Sequence, residues 1–240
     1  MTDANATARA ALEAAHPELV ALSHRIYENP ELGYEEVQAA EWLTDVLKGN
    51  GFEVQRGFGD MPTAFVASTG SGPLHVAICA EYDALPGVGH ACGHNVICTA
   101  ALGAAIALKP VAEELGIRLT VLGTPAEEGG GGKIPFIEAG FFEDVHASMM
   151  VHPFPSDDSD PAIIAVQQLN VAYSGRAAHA SGYPWQGINA ADAMVVAQTA
   201  IALMRQQILP TDRIHGIVTK GGDADNIIPD RKTAEYMAFS

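Results

Sequence analysis

Residues 81–105, EYDALPGVGHACGHNVICTAALGAA, constrain this chain more than any other stretch. Between Glu81 and His94 they gather two acidic residues, two histidines and a cysteine, punctuated by Gly87, Gly89 and Gly93, and then run into an Ala-rich apolar segment. The pattern is that of a loop feeding a buried helix. Cys92 and His94 stand two apart across Gly93, so in an irregular loop both can turn toward one point, where a thiolate and a neutral imidazole are ligands that a borderline-soft divalent metal prefers. Taken singly, a cysteine is more often a small buried hydrophobe and a histidine is more often satisfied by loop carbonyls. Clustering is what favours a metal site.

The flanking segments place that loop at the edge of a sheet. Residues 6–27 have helical spacing through Leu12, Leu19, Leu22 and Ile26, with a break expected near His16 because Pro17 follows it. Residues 35–48 repeat the pattern, with Val37, Ala40, Leu43, Val46 and Leu47 on the inner face and Glu35, Glu36, Glu41 and Asp45 off it. Residues 52–56, 63–68 and 74–80 read as strands. The last of these, LHVAICA, is apolar nearly throughout, as in a strand covered on both faces, and it delivers Glu81 and Asp83 at its carboxyl end, where open α/β sheets bind ligands. Residues 117–123 form a second buried strand that ends in TPAEEGGGG. There the side chains of Glu127 and Glu128 diverge, so one can bind a metal while the other faces water or substrate, and the polyglycine lets the backbone come close to something. A third strand end, at residues 146–151, stops at His152-Pro153. Alone, a Glu-Glu pair is usually a solvated turn, but three strand ends that each deliver metal-competent groups point to one site.

Composition shifts at residues 154–161, FPSDDSDP, a Pro- and Asp-rich candidate boundary between a first domain, 1–161, and a second, 162–240. In the second, residues 162–174 read as a strand, 175–187 as a loop holding His179 and Trp185, 188–207 as a helix with Ala, Met and Val on its buried side, and 213–219 and 233–240 as strands, which implies a small α+β unit. The chain stops inside an apparent strand, so C-terminal truncation is expected. A net charge of −16 argues against nucleic acid and anionic membrane surfaces as partners. Three cysteines in a spacing unlike a disulfide framework favour a reducing compartment, and a cytoplasmic location is expected. No signal peptide is visible, and the longest apolar run, 96–108, falls short of the roughly 20 residues a membrane helix needs.

Together, EYDALPGVGHACGHN, GTPAEEGGGG, VHPFP, GRAAHASGYPWQGINA and NIIPD resemble the two-metal amidohydrolase and aminopeptidase-like family that includes hippurate hydrolase, the auxin-conjugate amidohydrolases and carboxypeptidase G. The resemblance implies an α/β catalytic domain, with helices on a mixed, mostly parallel sheet, interrupted by a smaller α+β lid that also serves for homodimerisation. It implies Cys92, His94, Glu128 and His152 as ligands of two divalent metal ions, zinc or manganese, with Cys92 bridging, and Glu127 as general base. His179 and Asn226 are implied as substrate-binding residues that reach a neighbouring subunit's site, toward the oxyanion and the substrate carboxylate. Asp83 is expected to orient a ligand imidazole. The substrate would be an N-acyl amino acid or a dipeptide with a free carboxylate. Hippurate-hydrolase-like members tend to read CGHDGHTA where this chain reads CGHNVICTA, with Asn95 for the acid and Ile97 for a second histidine. That departure, with EYDALP, is similar to the p-aminobenzoyl-glutamate hydrolase and aminoacylase-like dipeptidase branch. Family members also continue into a final metal-binding histidine that this sequence lacks.

Two other readings stand beside this one. Cys92 could be a nucleophile activated by His90 or His94, giving a thiol amidase. The chain could also be a truncated, non-catalytic dimerising fragment.

Overall fold

Apolar spacing builds the first helix, and tertiary packing carries it further than its sequence suggests. Helix α1 (Ala4–Glu28) buries Ala15, Leu19, Leu22 and Ile26 and runs through Pro17 without the expected break. Pro17 lies on the exposed side, where its missing N–H is outweighed by the buried stripe on the opposite side. Helix α2 (Val37–Gly49) buries Ala39, Ala40, Leu43, Thr44 and Leu47. Its first turn corrects the sequence reading: Val37 is 55% exposed, whereas Glu36 is fully buried because its carboxylate has internal hydrogen-bond partners.

The structure, a computed structural model, describes residues 3–240, which fall into two compact units that meet at Asp157/Asp158. After α2 the first unit contains β1 (Glu53–Phe58), β2 (Met61–Thr69), β3 (Leu74–Ala80), α3 (His94–Leu108), β4 (Ile117–Gly123), α4 (Lys133–Glu138) and β5 (Ala147–Met149). The strands form one mixed sheet in the order β1-β2-β4-β3-β5. The β1/β2 and β2/β4 pairs are antiparallel and the β4/β3 and β3/β5 pairs parallel, so parallel pairing covers the half of the sheet from which the acidic and histidine-bearing loops emerge.

Side-chain alternation on β3 sets the layers. Ile78 and Ala80 join α1, α2 and α3 in one core, while Ala77 and Cys79 join Phe136 of α4 in a second core on the other face, so the strand is covered twice. The apolar stretch that opens with α3 is buried over most of its length, as a core helix is. Strand β5 is an exception to the apolar, buried pattern: it is only three residues long and exposed.

In the second unit, β6 (Val166–Ser174), β8 (Arg213–Lys220) and β10 (Arg231–Phe239) form an antiparallel sheet in the order β6-β10-β8, with α5 (Ala190–Met204) packed on it through Met194, Ala234 and Tyr236. A short ladder joins β7 (Ala178–His179) to β9 (Ile227–Ile228). Helix α5 corrects a third expectation. Only Ala190 and Met194 are buried, and Val195 and Val196 are 56% and 68% exposed, because the helix turns the Met194 side toward Ala234 and Tyr236 and the next two positions fall off that stripe.

Leu102 of α3 is fully buried in the first core, so Leu102→Ala removes contacts that the surrounding helices and strands cannot regain. The substitution should cost about 2–5 kcal/mol. A lowered denaturant midpoint at unchanged slope is the expected result, and an unchanged midpoint would show that the α1/α3 layer does not hold the unit together.

Candidate metal centre

Register brings the site together. Ala80 pairs with Gly123 at the carboxyl ends of the parallel strands β3 and β4, and the Thr124 N–H continues the ladder to the Ala80 carbonyl at 2.8 Å. Residues 81 onward and 124 onward therefore leave the sheet side by side. Gly93, at the N-terminus of α3, has φ +89°, and a Cβ there would lie 2.9 Å from Cγ of Pro153. Only glycine fits that backbone and that approach. The contact sets the loop of His152 against that of Cys92, whose Sγ lies 3.5 Å from Nε2 of His152.

His94 is the centre of the arrangement and is fully buried. Its Nδ1 lies 2.9 Å from both the carbonyl oxygen and Oδ1 of Asp83, two acceptors, which places the ring proton on Nδ1 and turns Nε2 toward the site. The other oxygen of Asp83, Oδ2, accepts the Glu128 N–H at 2.9 Å. Three carboxylates face His94 Nε2: Glu81 Oε2 at 3.6 Å, Glu127 Oε2 at 3.6 Å and Glu128 Oε1 at 3.8 Å. Lys133, the first residue of α4, donates to the other oxygen of Glu81.

These groups fit a divalent cation. His94 Nε2, Glu81 Oε2 and Glu128 Oε1 are buried without a hydrogen-bond partner, which is costly for atoms this polar unless something positive lies among them. Ligand atoms of Cys92, His94 and His152 lie within 4.8 Å of one another, as do those of Glu81, His94 and Glu127. Asp83, Glu81, Glu127 and Glu128 supply four carboxylates, against which Lys133 offers one ammonium.

The same imbalance shifts the titrations. Burial pulls the His94 imidazole down, but its hydrogen bond to the Asp83 carboxylate and the charges of Asp83, Glu81 and Glu128 outweigh burial and leave the pKa raised. For Asp83, burial is outweighed by His94 and by the Glu128 and Glu127 backbone N–H groups, so its carboxyl is lowered. Burial, then the Glu81 charge, raises Glu127. Burial and the neighbouring carboxylates, Glu128 first, push the Cys92 thiol up to about 12.

The structure thus gathers Cys92, His94, Glu127, Glu128, His152 and Asp83 in one place and adds two residues to which the sequence reading gave no role, Glu81 and Lys133. Glu81 was visible as a strand-end acid, but nothing in its spacing said that it turns inward. Asn95 lies outside the donor set and donates to Ser23 Oγ at 3.0 Å, and Ile97 is core. The imidazole hydrogen-bonded to Cys92 is His152, in place of the expected His90 or His94. In the second unit, the β7/β9 ladder pairs His179 with Ile227 and brings Asn226 beside it, the Asn226 carbonyl accepting the Ala180 N–H at 2.9 Å.

The sequence profile of peptidase family M20/M25/M40 matches residues 77–238. The chain is 44% identical to the Xaa-Arg dipeptidase of Mus musculus over 94% of its own length and 56% of that protein. It is 34% identical to a p-aminobenzoyl-glutamate hydrolase chain of Escherichia coli (strain K12), over 95% of this chain and 52% of that protein. It therefore spans about half the length of the curated relatives it matches. The crystal structure of a dinuclear metal-binding peptidase of the M20 family from Bacillus subtilis shares the fold, with a TM-score of 0.64 at 22% identity, covering 95% of this chain and 65% of that one.

If Asp83 holds His94 with Nε2 toward the donors, Asp83→Asn should weaken divalent-cation binding by about 10–100-fold. The new amide sets an N–H against the Glu128 N–H or the His94 Nδ1–H. Calorimetric titration of the metal-stripped full-length protein with zinc measures it, and wild-type affinity would mean that Asp83 does not orient the ligand.

Proposed function

Because the chain belongs to peptidase family M20/M25/M40, we propose that the full-length protein hydrolyses the amide bond of N-acyl amino acids or dipeptides that carry a free carboxylate, using two divalent metal ions, zinc or manganese. The observation that carries this reading is the convergence of buried, unpartnered His94, Glu81 and Glu128 atoms beside Cys92, Glu127 and His152. The names of its relatives, a dipeptidase and a p-aminobenzoyl-glutamate hydrolase, support a substrate of this class. Unpaired Cys79, Cys92 and Cys98 suit a cytoplasmic location.

In this proposal Cys92, His94, Glu128 and His152 would hold the metals. The bound ions supply polarisation of the scissile carbonyl and a lowered pKa for the attacking water. Glu127 takes a proton from that water as its oxygen bonds to the carbonyl carbon, then delivers the proton to the amine nitrogen as the C–N bond breaks. Its carboxyl is already raised by burial and by Glu81, the direction that suits a group accepting and releasing a proton near neutrality. Asp83 does not react and keeps the His94 ring in place.

The second unit contributes to a partner's site in the same proposal. His179 Nδ1 accepts the N–H groups of Ser181 at 3.3 Å and Gly182 at 3.1 Å, so the ring proton sits on Nε2 and is free to be donated. We assign that donor to the developing oxyanion of the neighbouring subunit, where such donors contribute most, and Asn226 to the substrate carboxylate. The exposed apolar face of α5, with Val195, Val196 and Leu203, supports a homodimer formed through this unit.

Two experiments test the reading in the full-length protein. Chelation should abolish activity and zinc, manganese or cobalt restore it; Glu127→Gln should retain metal while turnover falls by about 10²–10⁴-fold, and Glu128→Gln should lose metal. Full activity of the metal-free protein, with loss on thiol alkylation, would instead make Cys92 the nucleophile. Second, mixing a His179→Ala chain with a Glu127→Gln chain, each nearly inactive, should restore activity in heterodimers that hold one complete site. No recovery despite demonstrated subunit exchange would remove His179 from the partner's site.

A further inference from the structure

The connector between α1 and α2, residues 29–36, does more than join two helices. The Glu31 carboxylate caps α2, accepting the N–H groups of Gln38 at 2.9 Å and Ala39 at 2.9 Å, while its carbonyl accepts the Ala84 N–H at 2.8 Å, one residue beyond Asp83. Glu36 makes no cap bond. Its buried carboxylate turns the other way: Oε1 accepts the Ala126 N–H at 2.8 Å and Oε2 accepts the Thr63 hydroxyl at 2.9 Å. The Tyr34 hydroxyl donates to the Gly130 carbonyl at 3.0 Å, and its ring lies so close that a Cβ on Gly130 would come within 2.4 Å of it. A Cβ on Gly33 would likewise come within 2.8 Å of the Ala126 Cβ.

Backbone conformation points to the same contact. Among the described residues, Tyr34 and Ala126 are the two non-glycine positions with left-handed backbone, at φ 67° and 56°. L-residues avoid that region unless their surroundings hold them there. Each of the two lies on one side of this contact. The Ala126 carbonyl closes the loop by accepting the N–H groups of Gly130 at 2.8 Å and Gly131 at 2.7 Å. Glu127 and Glu128 therefore ride on a turn fixed at one end by Glu36 and at the other by Tyr34.

We infer that Glu36 is a positioning residue which, through the Ala126 N–H and with Tyr34 holding Gly130, sets the direction in which the loop presents Glu127 and Glu128. The inference rests on the proposed role of Glu127. Glu36 itself bonds to Ala126 and Thr63 and acts on the reaction only through the turn. Glu36→Gln keeps both contacts, since an amide oxygen accepts the Ala126 N–H and the amide nitrogen donates to Thr63. Glu36→Ala leaves the Ala126 N–H buried without an acceptor.

In the metal-loaded full-length protein, Glu36→Ala should lower kcat by about 10–100-fold, the range for a catalytic group moved by a fraction of an ångström to an ångström. It should also weaken zinc affinity in calorimetric titration, because Glu128 moves with Glu127. Glu36→Gln should restore kcat to within about threefold and zinc affinity to the wild-type value. A Glu36→Ala protein with a lowered melting temperature but wild-type kcat and zinc affinity would make Glu36 merely structural and overturn the inference. Should Glu36→Ala fail to fold, Tyr34→Phe decides, since it deletes only a hydroxyl from a side chain already at the surface. A kcat lowered by about 3–10-fold supports the positioning role, and a wild-type kcat overturns it. Glu127→Gln is measured alongside: if it is fully active, both the inference and the proposed function fall, whereas an inactive Glu127→Gln beside unaltered connector variants sinks the inference alone.

Discussion

The carboxylate of Asp83 is the interaction on which the site depends. One oxygen takes the His94 Nδ1–H and the other takes the Glu128 N–H, so a single planar group sets the ring at the start of α3 against the loop after β4. Neither partner is adjacent in sequence; the carboxylate can span them only because β3 and β4 are parallel and end level at Ala80 and Gly123. Removing that register would separate the histidine from the glutamates before any side chain changed. Its lowered pKa has the same origin, since burial alone would raise the carboxyl and the two donors outweigh burial.

Around that link the charges do not balance. Holding four carboxylates, Glu81 and Asp83 buried and Glu127 and Glu128 partly open, around His94 with one ammonium is unfavourable unless a cation or protons complete the set. His94 shows the tension directly: its Nε2 faces Glu81, Glu127 and Glu128 at 3.6–3.8 Å, an arrangement that suits either an imidazolium or a neutral ring bound to a metal. The raised pKa of His94 is the protonic answer to that environment, and the unpartnered oxygens of Glu81 and Glu128 mark where a proton on one ring cannot satisfy every group. A divalent ion satisfies several of them at once.

Much of this was legible in the chain because the relevant segments obey simple rules. β3 and β4 are short apolar runs, buried on both faces, and their ends carried the acids and glycines that marked the edge. What escaped was set by contacts remote in sequence. Pro17 was expected to break α1, but the buried Leu19, Leu22 and Ile26 keep the helix continuous. Glu36 fell on the outer face of a helical wheel, yet the first turn of α2 is placed by the Glu31 cap and by partners in β2 and after β4, none of which periodicity can see. Glu81 and Lys133 lie far apart in the chain and pair only once α4 has folded across the second face of the sheet. The polyglycine's close approach was anticipated; that its neighbour would be the Tyr34 ring was not.

The Cys92 thiol, at the side of the site next to His152, is where two chemistries compete for the same residue, and its surroundings bear on the choice. A cysteine nucleophile needs its thiolate populated near neutrality, which proteins arrange with a neighbouring cation, an imidazolium or a helix N-terminus. Cys92 lies near the start of α3, but burial and the carboxylates of Glu128, Glu127 and Glu81 oppose ionisation and push the thiol to about 12. Even with the His152 imidazole 3.5 Å from Sγ, burial and these carboxylates keep a free thiolate a minor species and a poor basis for catalysis. A bound divalent cation reverses the sign of the local field, deprotonates a coordinating thiol and turns the same carboxylates into partners. The acids that argue against Cys92 as a nucleophile are therefore the groups that suit it as a ligand.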